Sequence, residues 1–179
     1  MACNLSTGRD LPCFDSMGGL KAVYFADYGT LGAITFDITD TDTITTFAGT
    51  PEFFEFDLRG SSSTYTETIT KDINNGTAFY AQSLSLTLQK LTKTMHKELK
   101  LLVYNSPHVI VKDYNDNYFV CGLYNGADVT GGTVVTGGAK GDLSGYTLTL
   151  TAEEAMPANF LAVDIPTTTA TIAAAKETP

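Results

Sequence analysis

The hydrophobic period of this chain changes once, between Phe79 and Tyr104, and that switch limits the folds open to it. From Phe79 to Leu88 alternate positions are apolar: Phe79 and Ala81, then, after a slip of one residue, Leu84, Leu86 and Leu88. This is the repeat of a half-buried strand. From Leu88 the spacing lengthens to steps of three and four through Leu91, Met95, Leu99 and Leu102, while Lys90, Lys93, Lys97 and Lys100 recur on another face. An amphipathic helix satisfies both patterns. Elsewhere the chain alternates as strands do, so one helix among many strands is expected.

The 179 residues suffice for one domain with its own core. Threonine, tyrosine, phenylalanine and glycine are abundant and tryptophan is absent, which favours strands and tight turns. The expected class is mainly β, an antiparallel β-sandwich or barrel with one flanking α-helix. Residues 1–20 read as an extended N-terminal arm, 21–165 as a single sandwich domain and 166–179 as a flexible tail. Met1 to Ser6 lacks the charged and apolar regions of a secretory signal, and no apolar run approaches the roughly 20 residues that span a bilayer, so a cytoplasmic protein without membrane contact is expected. Cys3, Cys13 and Cys121 lack CxxC spacing, which argues for free thiols over zinc and leaves a Cys3–Cys13 bridge open.

Along the chain, Lys21–Tyr28 starts the core, Ile34, Phe36 and Ile38 alternate with polar residues, and Ile44 to Phe47 follows. Glu52–Leu58 and Tyr65–Ile69 flank a Gly-Ser stretch and are expected to form a hairpin, and Asn74-Asn75-Gly76-Thr77 is a strong turn signal. Pro107 ends the helix, and Val109–Val111 and Tyr118–Leu123 form strands closed by Asp113 to Asn117. Gly126–Gly145 reads as a short strand inside a long mobile loop, followed by strands at Tyr146–Leu150 and Asn159–Val163.

The chemical motifs are weak. Asp113, Asn115 and Asn117 match the first ligands of a calcium loop, but Tyr118 and Tyr124 stand where glycine and glutamate are required, so turn chemistry is expected instead. Gly137 to Asp142 lacks the Ser or Thr and the following helix of a phosphate loop. His96 and His108 sit in no nucleophile or metal pattern. No catalytic, cofactor-binding or metal-binding residues are therefore expected, and enzymatic activity is not. A net charge of −9 argues against gripping nucleic acid. The lysines of the helix suit an acidic surface on a neighbouring copy, where they would set orientation.

The order of arm, strands, long hairpin, single helix and closing strands resembles the tail tube proteins of long-tailed bacteriophages. The wording from Leu11 to Phe25, with its Pro12, Cys13 and Gly18-Gly19, is similar to the opening of small virion proteins of such phages. Asn105 to Gly126 and Thr136 to Leu150 resemble their C-terminal half. The resemblance implies a tail-tube-like fold, homohexameric rings stacked into a hollow tube, contacts with other tail proteins, transient non-specific passage of DNA, and a place in the virion tail after assembly in a host cytoplasm. Residues 1–20, Thr41–Pro51 and Gly126–Gly145 are the candidates for stacking contacts.

On that reading Glu52, Glu55, Asp57, Glu67 and Asp72 are candidates for an acidic inner wall that keeps DNA from sticking, over a screening length of about 8 Å. Lys90, Lys93, Lys97 and Lys100 are the candidate inter-subunit helix. The rival readings are another virion component, such as a tail terminator, ring adaptor or decoration protein. More distant is a carbohydrate-binding β-sandwich using Tyr114, Tyr118, Tyr124 and Tyr146.

Overall fold

The computed structural model describes residues 8–10, 14–60, 62–162 and 171–172. In chain order the elements are β1 (Leu20–Ala26), β2 (Ile34–Phe36), β3 (Thr43–Phe47), β4 (Glu52–Asp57), β5 (Thr64–Asp72), β6 (Thr77–Gln89), α1 (Lys93–Tyr104), β7 (His108–Asp113), β8 (Tyr118–Cys121), β9 (Asp128–Val135), β10 (Gly145–Glu154), β11 (Phe160–Leu161) and β12 (Thr171–Ile172). Eight strands form one sheet in the order β12-β4-β1-β7-β8-β11-β3-β2, and four form a second in the order β5-β6-β10-β9. Among the described residues the fold is thus mainly β, two sheets with one helix, as the sequence predicts.

The larger sheet is apolar on both faces at its centre. Val23, Phe25, Val109, Val111 and Cys121 face the smaller sheet and pack on Leu84, Leu86, Leu88, Tyr146, Leu148 and Leu150. Ala22, Tyr24, Ile110 and Val120 face the other way, where the sheet curls and brings Ile44 and Phe47 of β3 and Phe53 of β4 over them. Two-sided burial explains why Ala22–Ala26, after exposed Lys21, reads as a continuous apolar run and not as an alternation.

In β6 there is no slip. Gln82 lies on the inward face in line with Leu84, Leu86 and Leu88 and is only 2% exposed. Its Oε1 accepts the Gly122 amide at 2.9 Å and its Nε2 points to Glu67 Oε2 at 3.5 Å, so a polar side chain occupies a core position with its bonding satisfied.

The helix begins later than its period suggests. Lys90 has φ +69° and donates its amide to Ser144, and Thr92 caps the helix by accepting the Met95 amide at 3.1 Å. Leu88 and Leu91 belong to the strand and the turn, yet they join Met95, Leu99 and Leu102 in the same core. A change of element that keeps one buried face leaves the apolar pattern unbroken. Burying Leu99 alone contributes roughly 1.5–3 kcal/mol.

Other expectations are corrected. β4 and β5 do not form a hairpin: β4 pairs with β1 and β12, β5 pairs with β6, and the Gly-Ser stretch carries the chain from one sheet to the other. Much of Gly126–Gly145 is strand β9, paired with β10 and kinked by one extra residue between Gly131 and Val129. Ile38 is exposed and outside β2, because Asp37 accepts the amides of Thr39 and Asp40 and turns the chain. The closing strand is only Phe160–Leu161, and within the expected tail Thr171–Ile172 pairs in parallel with β4. Before β1, Met17 exchanges hydrogen bonds with Asn115, 2.8 Å from its amide and 2.9 Å to its carbonyl, tying the lead-in to the β7–β8 turn.

Candidate functional site

The four-stranded sheet has one buried and one open face, because strand residues alternate sides. The buried face holds the leucines described above. On the open face the register aligns hydroxyls in rows: Thr66–Ser83–Thr151, Thr64–Ser85–Thr149, and Thr87–Thr147–Thr133. In the third row Thr133 Oγ1 and Thr147 Oγ1 lie 2.6 Å apart. The charged side chains of this face are Asp72, Glu153 opposite Ala81, and Asp128 opposite Thr151. Lys71, the one basic residue in these four strands, occupies the alternate set with Glu67 and Ile69. The open face therefore carries hydroxyl rows beside Phe79, Ala81 and Val135, and its charged side chains are all acidic.

Both outer strands of this sheet are edges. Among the described residues β5 and β9 have one strand neighbour each, and since every pair is antiparallel and the strands number four, β5 and β9 run in opposite directions. β5 offers nine residues without proline and is rich in threonine. β9 offers a regular stretch from Gly131 to Val135 beyond its bulge. An unpaired edge of this length is a template for another strand.

The acidic residues singled out from sequence do not make one wall. Glu52, Glu55 and Asp57 are in the larger sheet, where Glu55 Oε1 accepts the Tyr24 hydroxyl at 3.0 Å. Glu67 points into the space between the sheets, and its Oε2 accepts from the Tyr65 hydroxyl and the Ala158 amide at 3.0 Å each. Burial, then Cys121 and Glu67, push the Tyr65 phenol far above its ordinary range. Asp72 alone of the five lies on the open face, with its carboxyl held below the usual range by the amides of Asn75 and Asn74. Sequence reading missed Asp128 and Glu153, as well as the hydroxyl rows, although the Thr-x-Thr-x-Thr spacing at Thr64–Thr68 and Thr147–Thr151 is their signature.

Of the predicted lysine stripe, Lys93, Lys97 and Lys100 fall on the side of α1 opposite Met95 and Leu99 and are exposed; Lys90 precedes the helix and drops out. The ion pairs among the described residues join Lys21 and Lys112 to Asp116, each at 3.2 Å, and none uses the three helix lysines.

The remaining motifs resolve into structure. Asp113 accepts the amides of Asn115 and Asn117 at 2.8 Å and both of their side-chain amides, closing its turn. In the Gly137–Asp142 loop the amides of Gly138 and Ala139 are bound by Asp142 of the same loop, at 2.9 and 2.7 Å. His108 lines a cleft of about 380 Å³ with Tyr28, Leu31, Phe36 and Tyr124, but its Nε2 accepts the Gly29 amide at 3.0 Å, so Nδ1 carries the proton and donates to Gly122 at 2.8 Å. Burial, with Glu154 and Glu67 behind it, pushes the Cys121 thiol up to about 12. Cys3 and Cys13 lie outside the described residues. Tyr118 and Tyr146 are 6% and 2% exposed and belong to different cores, so the four tyrosines share no platform. No group of three or more potential metal ligands occurs among the described residues, and no described helix is long and apolar enough to cross a membrane.

No known protein family, curated protein or solved structure matches the chain.

Proposed function

We propose that this chain is a subunit of a phage tail tube, closing into rings through strand pairing between copies and stacking into a conduit for DNA. The observation that carries this reading is the pair of open, oppositely directed edges on the four-stranded sheet. When β9 of one copy lies beside β5 of the next, the two are antiparallel, so the sheet continues from copy to copy without a change of pattern. An even strand count is what this requires; with three or five strands each junction would be parallel. Such a head-to-tail contact closes into a ring wherever the rotation per copy divides a full turn.

The open face supports the same reading. Curling the continuous sheet with its leucines outward, against the larger sheet, leaves the hydroxyl rows with Asp72, Asp128 and Glu153 facing the centre. A wall whose charged groups are all carboxylates, without lysine or arginine, offers a passing polyanion no counterion to hold it. The lysines of α1 sit on the other side of the core and are free to meet acidic surfaces of other copies.

Sedimentation velocity over rising concentration tests the reading. Assemblies much larger than the monomer, growing with concentration, are expected. A monomer at every concentration overturns self-assembly through these edges, and discrete rings that never grow favour a terminator or adaptor.

A further inference from the structure

The chain contains two Asn-Gly pairs, Asn75-Gly76 and Asn125-Gly126, in opposite environments. We propose that Asn75 is a site of spontaneous deamidation in the folded protein and that Asn125 is protected. In this reaction the backbone nitrogen of the following residue attacks asparagine Cγ, forming an N–Cγ bond, and Nδ2 leaves as ammonia, carrying the proton that the attacking amide gives up. The resulting succinimide adds one water and reopens at either carbonyl to aspartate or isoaspartate. The balance is asparagine and water to an acid and ammonia, with no other reactant.

The step needs an attacking residue without a β-carbon and a backbone free to rotate toward the side chain. Gly76 is exposed at the tip of the β5–β6 hairpin with φ +65°, and a Cβ placed on it would meet nothing within 4 Å. Above the last ladder pair, Asp72 with Thr77, the tip is bound by the Asp72 side chain, which accepts the amides of Asn74 and Asn75 at 2.8 and 3.2 Å and the Asn75 side-chain nitrogen at 2.6 Å, all at the surface. Water competes for each of these bonds.

Asn125 differs in every respect that matters. Gly126 is buried, and a Cβ on it would lie 2.4 Å from the Ser106 carbonyl, so its backbone is wedged. The Asn125 side chain donates to the Glu153 carbonyl at 2.7 Å, and its amide donates to Glu154 at 2.9 Å. Cyclisation there requires the turn to open first.

At the hairpin tip the product exchanges a donor for an anion. A carboxylate at position 75 loses the bond to Asp72 and faces that residue's carboxylate, which the surrounding amides keep ionised. Two like charges then meet where a hydrogen bond closed the turn.

The test is a peptide map by tandem mass spectrometry of the full chain, held in mildly alkaline buffer and sampled over days. A parallel sample is held in denaturant. In the native sample residue 75 is expected to convert on the order of tenfold or more faster than residue 125, the protection given by the cost of local opening. In denaturant the two are expected to react at similar rates, and Asn75→Gln removes the native signal. Equal native rates at 75 and 125, faster reaction at 125, or an Asn75 that reacts only in denaturant each overturn the proposal.

Discussion

Buried Glu154 accepts the Tyr124 backbone amide at 2.9 Å, and through the same oxygen it accepts the amide of Asn125. This carboxylate, 4% exposed at the end of β10, holds the turn that follows β8 and so fixes one sheet against the other. Glu154→Ala removes the acceptor of two half-buried turn amides and is expected to cost roughly 1–3 kcal/mol, while Glu154→Gln, which keeps an acceptor, costs about 1 kcal/mol. Urea unfolding should show a lower midpoint at unchanged m. An alanine variant as stable as the parent would mean that the turn holds itself.

Acid is expected to loosen the β7–β8 turn through Asp113. Burial raises the Asp113 carboxyl, but the hydrogen bonds from Asn117 and Asn115 together outweigh it and hold the group below its usual range. A group depressed on folding contributes stability that is complete above its unfolded value of about 3.9 and lost as pH falls through the folded value. The amides of Asn115 and Asn117 should therefore lose hydrogen-exchange protection below about pH 4, and Asp113→Asn should show reduced protection already at neutral pH. Because Asn115 also grips Met17, the lead-in should loosen at the same pH.

The helix lysines should matter to association and not to folding. Lys93, Lys97 and Lys100 form no ion pair among the described residues, so replacing all three by alanine should change the unfolding free energy by less than about 0.5 kcal/mol. If they face acidic surfaces of neighbouring copies, wild-type assembly weakens with added salt and assembly of the triple variant does so less. Identical salt dependence in the two proteins would remove the helix from the interface.

Two lysines on the open edge should block assembly without unfolding the monomer. Thr66 and Thr68 are exposed on β5, and Thr66→Lys with Thr68→Lys puts cations both on the edge and on the acidic face. The expected cost to the monomer is within about 1 kcal/mol, since threonine is the better strand former. Circular dichroism should stay β-rich while the large species disappear from sedimentation profiles. Assembly at wild-type concentrations would show that β5 is not the contact.

The fold was legible where one face of an element is buried and the other is wet. Leu84, Leu86 and Leu88, Tyr146 to Leu150, and the helix leucines all announce themselves by period, and Asn74 to Thr77 and Asp113 to Asn117 announce their turns. Legibility failed where burial is set by distant chain. Glu52–Leu58 and Tyr65–Ile69 look like a hairpin because each alternates, and nothing local says that they join different sheets. Glycine-rich β9 looks like a loop because its strand character comes from pairing with β10. The acidic set failed for a related reason: alternation gives two faces per strand, and only the pairing register shows that Glu67 turns inward while Glu153 and Asp128 share the hydroxyl face.

The central claim is that copies join edge to edge around a hydroxyl-lined bore. Negative-stain electron microscopy of the purified wild-type chain at rising concentration tests it most directly. The account predicts hollow tubes whose cross-sections show sixfold rings, absent from the variant carrying lysine at positions 66 and 68. Solid filaments without a bore, or tubes that form equally well from that variant, would contradict it.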